Sequence, residues 1–354
     1  MAEAPHPFPA PHGVQISADV AVIGAGPTGL FAVFECGMLR MKCHVIDALD
    51  VIGGQCAALY PEKPIYDIPG YPSIDAADLI ERLNEQTAPF SPVYHLGQQV
   101  VSLSRADGER WLVETSAGTR INAKAVIVAA CVGAFGPNRP PLDGLELYEG
   151  KSVHYLVRRR LDYAGKRVVI AGGGDSAVDW ANSLAEVAAK IMVVHRRAKF
   201  RAAPESVARL EQLTKEGKVE MVVPYQLAGL EGTDGTLTGV RVATLDGDEK
   251  VLEADVLLPF FGLAMNLGPI ADWGLNLERH HIKIEQSTCA TSLPGIFAIG
   301  DIATYPGKLK LILSGFHEAA LMSQAAARRI SPEKRIVFQY TTSSTSLQKK
   351  LGVA

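Results

Sequence analysis

The chain has 354 residues, 35 Lys and Arg against 38 Asp and Glu, a net charge of −3 and 47% hydrophobic residues. That length accommodates two α/β domains of ordinary size, and the near-balanced charge argues against bulk affinity for nucleic acid. No apolar run approaches the length of a membrane span, so neither a membrane nor a nucleic acid is expected as partner.

Residues 1–16 are rich in proline and lack an apolar signal core, which predicts a flexible lead and a cytoplasmic protein. DVAVIGAGPTGL then carries Gly24-x-Gly26-x-x-Gly29 and leads to an apolar segment, CHVID, ending at Asp47. The stretch VIGGQCAALYPEKPIYDIPGYP is too rich in Gly and Pro for a helix and predicts a loop. DAADLIERLNEQTAPF has the periodicity of an amphipathic helix, capped by Ser73 or Asp75. GQQVVSLSR, RWLVETSAG and the buried run AKAVIVAA predict a small antiparallel insertion that returns to the main sheet just before Cys131. VGAFGPNRPPLDG has the proline density of a linker.

A second signature follows. RVVIAGGGDSAVDW carries Gly172-x-Gly174-x-x-Ala177, and its next apolar segment, IMVV, runs into His195-Arg196-Arg197. From first glycine to strand-end residue the spacing is 23 positions in both copies. Hairpin strands with Gly-Asp turns come next, then a second linker, FGLAMNLGP, and the strand of TSLPGIFAIGD ending at Asp301. SGFHEAALMSQAAARR predicts a helix, and VFQYTTSSTSLQKKLGV an appendage outside both nucleotide units.

Each copy has the chemistry of a dinucleotide site. The first glycine permits a tight strand-to-helix turn, the second lets backbone approach a pyrophosphate, and the third small residue lets helix and strand pack. The helix N-terminus then offers N–H groups and partial positive charge to the phosphates. A carboxylate at the following strand end accepts from ribose hydroxyls, which suits Asp47 to FAD or NAD. Arginines there accommodate a 2′-phosphate, so Arg196 and Arg197, with Arg201 one turn on, suit NADP. The five cysteines, Cys36, Cys43, Cys56, Cys131 and Cys289, include no CxxC pair, and the histidines show no ligand spacing, so no metal is expected.

The fold class expected is therefore α/β, with two Rossmann-like dinucleotide-binding domains and a C-terminal tail. The first is discontinuous, formed by 17–134 and 268–331; the second spans 135–267, and the tail 332–354. Two nucleotides on one chain is the plan of a flavin-dependent pyridine nucleotide reductase.

The segments GAGPTGLF, GGQCAALYPEKPIYDIPGYP, GGGDSAVDW, HRRAKFRA, PGIFAIGD and YTTSS together resemble the thioredoxin-reductase-like ferredoxin–NADP reductases. The resemblance covers about residues 17 to 354. Thioredoxin reductase carries a CxxC pair just before its second glycine motif, whereas SVHYLVRRRLDYAGK has no cysteine here. Without a dithiol, electrons must leave the flavin directly, one at a time, to an iron–sulfur protein.

The resemblance implies a role for each matched residue. Gly24, Gly26, Thr28 and Gly29 would cradle the FAD pyrophosphate, and Asp47 would hold the ribose. Gln55 and Asp67 would lie near the flavin, Tyr60 would stack on it, Val100 would offer backbone to the adenine, and Phe135 would follow the strand that closes over FAD. Asp301 would bind the ribityl or pyrophosphate portion, and Tyr340, Thr341 and Thr342 would cover the other flavin face. Gly172, Gly174, Ala177, His195, Arg196, Arg197 and Arg201 would bind NADPH. The family has glycine where this chain has Cys131.

The expected activity moves electrons between NADPH and ferredoxin or flavodoxin, by hydride transfer and then one-electron steps, in a homodimer. Alternatives are another acceptor (oxygen, a quinone or a partner flavoprotein) and a non-catalytic flavin redox sensor. Arg158, Arg159 and Arg160 are either a ferredoxin dock or a solvated loop.

Overall fold

The computed structural model describes residues 15–131, 134–333 and 344–350, with the side chains of Gln15, Ser346 and residues 134–136 and 263–265 left aside. The chain divides into two compact units, one from residues 1–134 and 265–354 and the other from 135–264.

In chain order, unit one begins with β1 (Gln15–Ile23), α1 (Pro27–Met38) and β2 (Cys43–Ile46). α2 (Gln55–Leu59), β3 (Pro64–Ile65), β4 (Ile74–Asp75) and α3 (Ala76–Thr87) follow. β5 (Val93–His95), β6 (Val100–Arg105), β7 (Trp111–Thr115) and β8 (Arg120–Val128) complete this part. The sheet order is β5-β2-β1-β8-β7-β6. β1 is its centre: Val20, Ala21 and Val22 are all fully buried, as a parallel strand covered on both faces requires.

Pro27 opens α1 at a position where no backbone donor is needed. α1 packs against α3 and, later, α6 on one face of the sheet. The other face buries Val113, Ile121, Val126, Trp273 and Ile302. The expected amphipathic helix is α3, which ends at Thr87 and passes into a 3-10 turn at Ala88–Phe90. The antiparallel insertion is β6–β7–β8. One expectation fails: Gln55–Leu59 is helical, because QCAAL contains no helix breaker although glycines and prolines surround it.

β9 (Ala134–Pro137) leads into unit two, built on β10 (Arg167–Ala171), α4 (Asp175–Leu184), β11 (Lys190–Val194), α5 (Pro204–Lys215) and β12 (Val219–Val222). The meander β13 (Gln226–Thr233), β14 (Thr236–Ala243), β15 (Glu249–Glu253) follows, then β16 (Val256–Pro259). The parallel order is β12-β11-β10-β16. β17 (Leu263–Asn266) leaves the unit and pairs with β9, so each expected linker contains a short extended strand.

Back in unit one come β18 (Leu277–Glu278), β19 (His281–Lys283), β20 (Ile296–Ala298), β21 (Ala303–Thr304), α6 (Ile312–Ile330) and α7 (Thr345–Lys350). β20 joins the large sheet parallel to the C-terminal half of β8, whose N-terminal half pairs with β7. α7 was expected to stand outside the units. Instead Leu347 is buried and the Lys350 ammonium lies 5.1 Å from the Phe90 ring centroid, within unit one.

Candidate functional site

In unit one, four strands end level. Ile46, Ile23, Val128 and Ala298 stand in register across β2, β1, β8 and β20. Three hydrogen bonds carry the rows one residue further: Gly24 N–H donates to the Ile46 carbonyl (2.8 Å), Ala129 N–H to Ile23 (2.8 Å) and Ile299 N–H to Val128 (3.0 Å). Gly24, Asp47, Ala129 and Ile299 therefore open four loops along one sheet edge, the carboxyl edge where open α/β sheets bind ligands.

Gly24 has φ +111°, and a Cβ there would overlap the Ala129 carbonyl oxygen. A Cβ on Gly29 would overlap the Gly24 carbonyl, so the helix start and the strand end touch through backbone alone. Above Gly26 the space is open, with Gly54 Cα the nearest atom at 4.0 Å from such a Cβ. Asp47 is held rigidly: Ala25 N–H donates to Oδ2 (2.7 Å) and Leu49 N–H to Oδ1 (2.9 Å). Burial pushes its carboxyl above the ordinary carboxylate range, and these backbone donors oppose that. Gln98 N–H donates to the Asp47 carbonyl (2.9 Å), which brings the start of β6, with buried Val100, beside this loop.

Tyr60 closes α2 half-buried, with its hydroxyl 4.0 Å from Cys56 Sγ. Burial pushes the Tyr60 hydroxyl far up and the Cys56 thiol up to about 11, and Cys131 and Asp301 both act on the tyrosine. The structure thus brings Tyr60, Cys56, Cys131 and Asp301 into one neighbourhood. Gln55 opens α2, while Asp67 is exposed. Asp301 lies in the 3-10 turn Gly300–Ile302; burial raises its carboxyl, and Lys308 and Lys310 pull it back. Phe135 is in β9 with its side chain outside the described part, and Tyr340, Thr341 and Thr342 lie outside the described residues.

Sequence reasoning missed how α1 meets α6. Thr28 packs against Gly300 and so closely against Gly315 that a Cβ at Gly315 would overlap its hydroxyl. It also missed Glu318, an acid only 1% exposed on the buried stripe of α6. An acid at a core position of an amphipathic helix was the available signal.

Unit two repeats the edge. Ala171, Val194, Val222 and Pro259 stand level. Gly172 N–H donates to the Val194 carbonyl (3.1 Å), His195 N–H to Val222 (3.2 Å) and Phe260 N–H to Ala171 (2.8 Å). A cavity of about 650 Å³ opens there, lined by Gly172, Gly174, His195, Arg196 and Arg201, and by the unanticipated Tyr225, Gln226, Phe260 and Phe261. Ala177 is buried beneath the turn, and Arg196, Arg197 and Arg201 are exposed.

The segment carrying these arginines is not helical, contrary to the expectation for Arg201. It folds back on the glycine turn instead, with Arg201 N–H donating to the Gly173 carbonyl (2.7 Å) and Ala203 N–H to Asp175 Oδ1 (2.9 Å). The His195 ring lies over Gly173, where a Cβ would strike it. Burial lowers the His195 pKa, and Arg201, Arg196 and Arg197 lower it further. Elsewhere in unit two Arg159 pairs with Asp162 (2.5 Å) and Arg160 with Glu186 (2.6 Å), so two of the three candidate docking arginines are already neutralised.

Comparison with known proteins fits this layout. Residues 18–326 match the family model described as pyridine nucleotide-disulphide oxidoreductase. A protein of Paramagnetospirillum magneticum named ferredoxin–NADP reductase is 64% identical over 93% of this chain and 98% of its own length. Another of that name, from Rhodospirillum rubrum, is 60% identical over 92% of this chain and 95% of its own. Among solved structures, thioredoxin reductase of T. acidophilum superposes with a TM-score of 0.77 at 23% identity, covering 88% of this chain and 98% of that one. That likeness is one of fold, a two-unit α/β arrangement. The chain belongs to the pyridine nucleotide-disulphide oxidoreductase family, in its ferredoxin–NADP reductase branch.

Proposed function

We propose that the chain moves electrons between NADPH and ferredoxin, or flavodoxin, through an FAD held by unit one. The observation that carries this is the pair of matching strand edges with opposite charge: a carboxylate fixed by two backbone donors in one, and three exposed arginines in the other. The glycine cradles fit a pyrophosphate, because each is the place where a side chain would fill the space that backbone needs.

In unit one, Gly24, Gly26, Thr28 and Gly29 bring the N-terminus of α1 to the pyrophosphate, where its N–H groups and dipole oppose the negative charge. The fixed Asp47 carboxylate accepts from the adenosine ribose, and the backbone at Val100 borders the adenine. Asp301 holds the ribityl side. Tyr60 stacks on the ring system, with Gln55 and Asp67 near it. Phe135, Tyr340, Thr341 and Thr342 take their flavin-covering roles by resemblance alone, as does the homodimer; the cytoplasm is proposed as the site of action. When bound, FAD supplies hydride acceptance from NADPH and single-electron donation.

In unit two, Gly172, Gly174 and Ala177 form the second cradle, and Arg196, Arg197 and Arg201, with His195, surround the 2′-phosphate. Charge-assisted hydrogen bonds of ~1.5–3 kcal/mol each set the preference for NADPH over NADH. The stretch between β9 and β10 contains no cysteine, so no thiol relay intervenes there and the acceptor takes electrons from FAD itself. The test is stopped-flow reduction of the yellow protein by NADPH and by NADH, followed by mixing with oxidised ferredoxin. Fast bleaching by NADPH alone, reversed by ferredoxin, is expected. Protein that binds no FAD, or bleached protein that ferredoxin leaves reduced, would refute the reading.

A further inference from the structure

We infer that Glu318 is a positioning residue that sets where Asp301 stands on the FAD edge, acting through the backbone amide of Gly300; this rests on unit one being the FAD site. Glu318 lies in α6 on the stripe that buries Gly315, Ala319 and Met322. Its Oε2 accepts the Gly300 N–H at 2.7 Å, and its Oε1 accepts the Tyr305 hydroxyl at 2.8 Å and the Lys308 ammonium. The Lys308 side chain is only 5% exposed. One buried carboxylate therefore ties both ends of the 300–308 strap, and Asp301 is the residue next to the tied amide.

The opposite side of the turn is equally confined. Gly300 has φ +75°, and a Cβ there would stand 3.3 Å from Thr28 Oγ1 of α1. The turn is thus clamped between the helix whose N-terminus receives the pyrophosphate and the carboxylate of α6. A buried ion pair is a poor means of stabilising a core, since apolar residues of similar volume serve as well or better. What an apolar residue cannot do is accept the Gly300 amide proton. That acceptor, and not the net charge, is what the FAD edge needs from position 318.

Two double variants separate these contributions, because both remove the buried charges. In Glu318→Gln with Lys308→Met, the carboxamide oxygen still accepts the Gly300 N–H. In Glu318→Met with Lys308→Met, nothing does. FAD release from the purified holoproteins is followed by flavin fluorescence, and thermal unfolding of the FAD-free forms is recorded alongside. We expect the Gln variant to release FAD as the parent does and the Met variant about 10-fold faster, the worth of one hydrogen bond to a well-placed acceptor, an effect larger than the difference in melting between the two FAD-free forms. Equal release from both variants would overturn the inference. So would a difference matched by an equal loss of FAD-free stability, which would make Glu318 merely structural. A parent protein that takes up no FAD would remove the proposed function as well, so the two failures are told apart.

Discussion

The two strand edges share a backbone plan and differ in how they hold their charges. At each, a glycine with positive φ sits against a carbonyl of a neighbouring strand: Gly24 against Ala129, Gly172 against Phe260. Beyond that the edges diverge. Unit one fixes its strand-end carboxylate with two backbone N–H donors and backs it with the paired histidines His44 and His95, 3.0 Å apart. Unit two leaves its arginines exposed, with Met192 and Val222 at the positions that match the two histidines. A pre-paid, rigid site suits a cofactor that stays, and a site of long solvated side chains suits a nucleotide that must leave each cycle.

The sharpest test of the shared plan is to break it in each half. Gly24→Ala should abolish FAD retention, because the new methyl overlaps a fixed carbonyl and the backbone has no room to yield. Gly172→Ala, at φ +154° with the Phe260 carbonyl oxygen 2.6 Å from its Cβ, should leave the protein yellow but slow its reduction by NADPH at least 100-fold. Absorbance at the flavin band and stopped-flow reduction read the two outcomes. If both variants lose FAD equally, the halves are not independent sites.

Next in size is the charge contrast. Replacing both Arg196 and Arg197 by alanine should raise the NADPH dissociation constant about 100-fold, since two charge-assisted bonds of ~1.5–3 kcal/mol each are weakened in solvent. NADH binding should change little. Titration with each nucleotide decides, and a parallel loss of both would place the arginines away from the 2′-phosphate.

The histidine pair gives the first edge an acid sensitivity built on two stacked imidazoles, where the second edge carries His195, whose pKa burial and the arginines also lower. Burial, and the neighbouring His44, lower the His95 pKa to about 4, and burial lowers that of His44. Both groups are held neutral in the folded state, while the unfolded chain takes up protons from about pH 6.5 downward. Stability is therefore full above pH 6.5 and falls as the pH drops towards about 4, by ~1–3 kcal/mol. Making unit one resemble unit two, with His44→Met and His95→Val together, should flatten that part of the urea-denaturation profile. An unchanged slope between pH 6.5 and 4 would locate the acid sensitivity elsewhere.

The two edges also differ from what the sequence makes visible. Glycine spacing, strand-end charge and the antiparallel insertion are local patterns, so both cradles, Asp47 and the arginine cluster could be read from residue order. Glu318 and Lys308 meet across ten positions and a turn, and their importance depends on Gly300, which β20 delivers from its register with β8. Tyr225 enters the second cavity because its N–H donates to the His195 carbonyl, a contact across 30 residues. The α2 helix was hidden by the prolines and glycines around it. The docking of α7 near Phe90 was hidden because its polar sequence buries little beyond Leu347.

Cys131 is the smallest departure and the most local. It has φ +53° directly after the strand end that faces Gly24, in the left-handed region where a Cβ crowds the following carbonyl. The edge of unit two shows no such cost, for Gly262, close behind its own returning strand, meets φ +82° as a glycine. Cys131→Gly relieves ~1–2 kcal/mol of folded-state strain but gives the unfolded chain ~0.5–1 kcal/mol of extra entropy. The net expectation is a gain of about 0.5 kcal/mol in urea denaturation. A loss of stability would mean that the thiol, half-buried beside Tyr60, contributes more by packing than its backbone conformation costs.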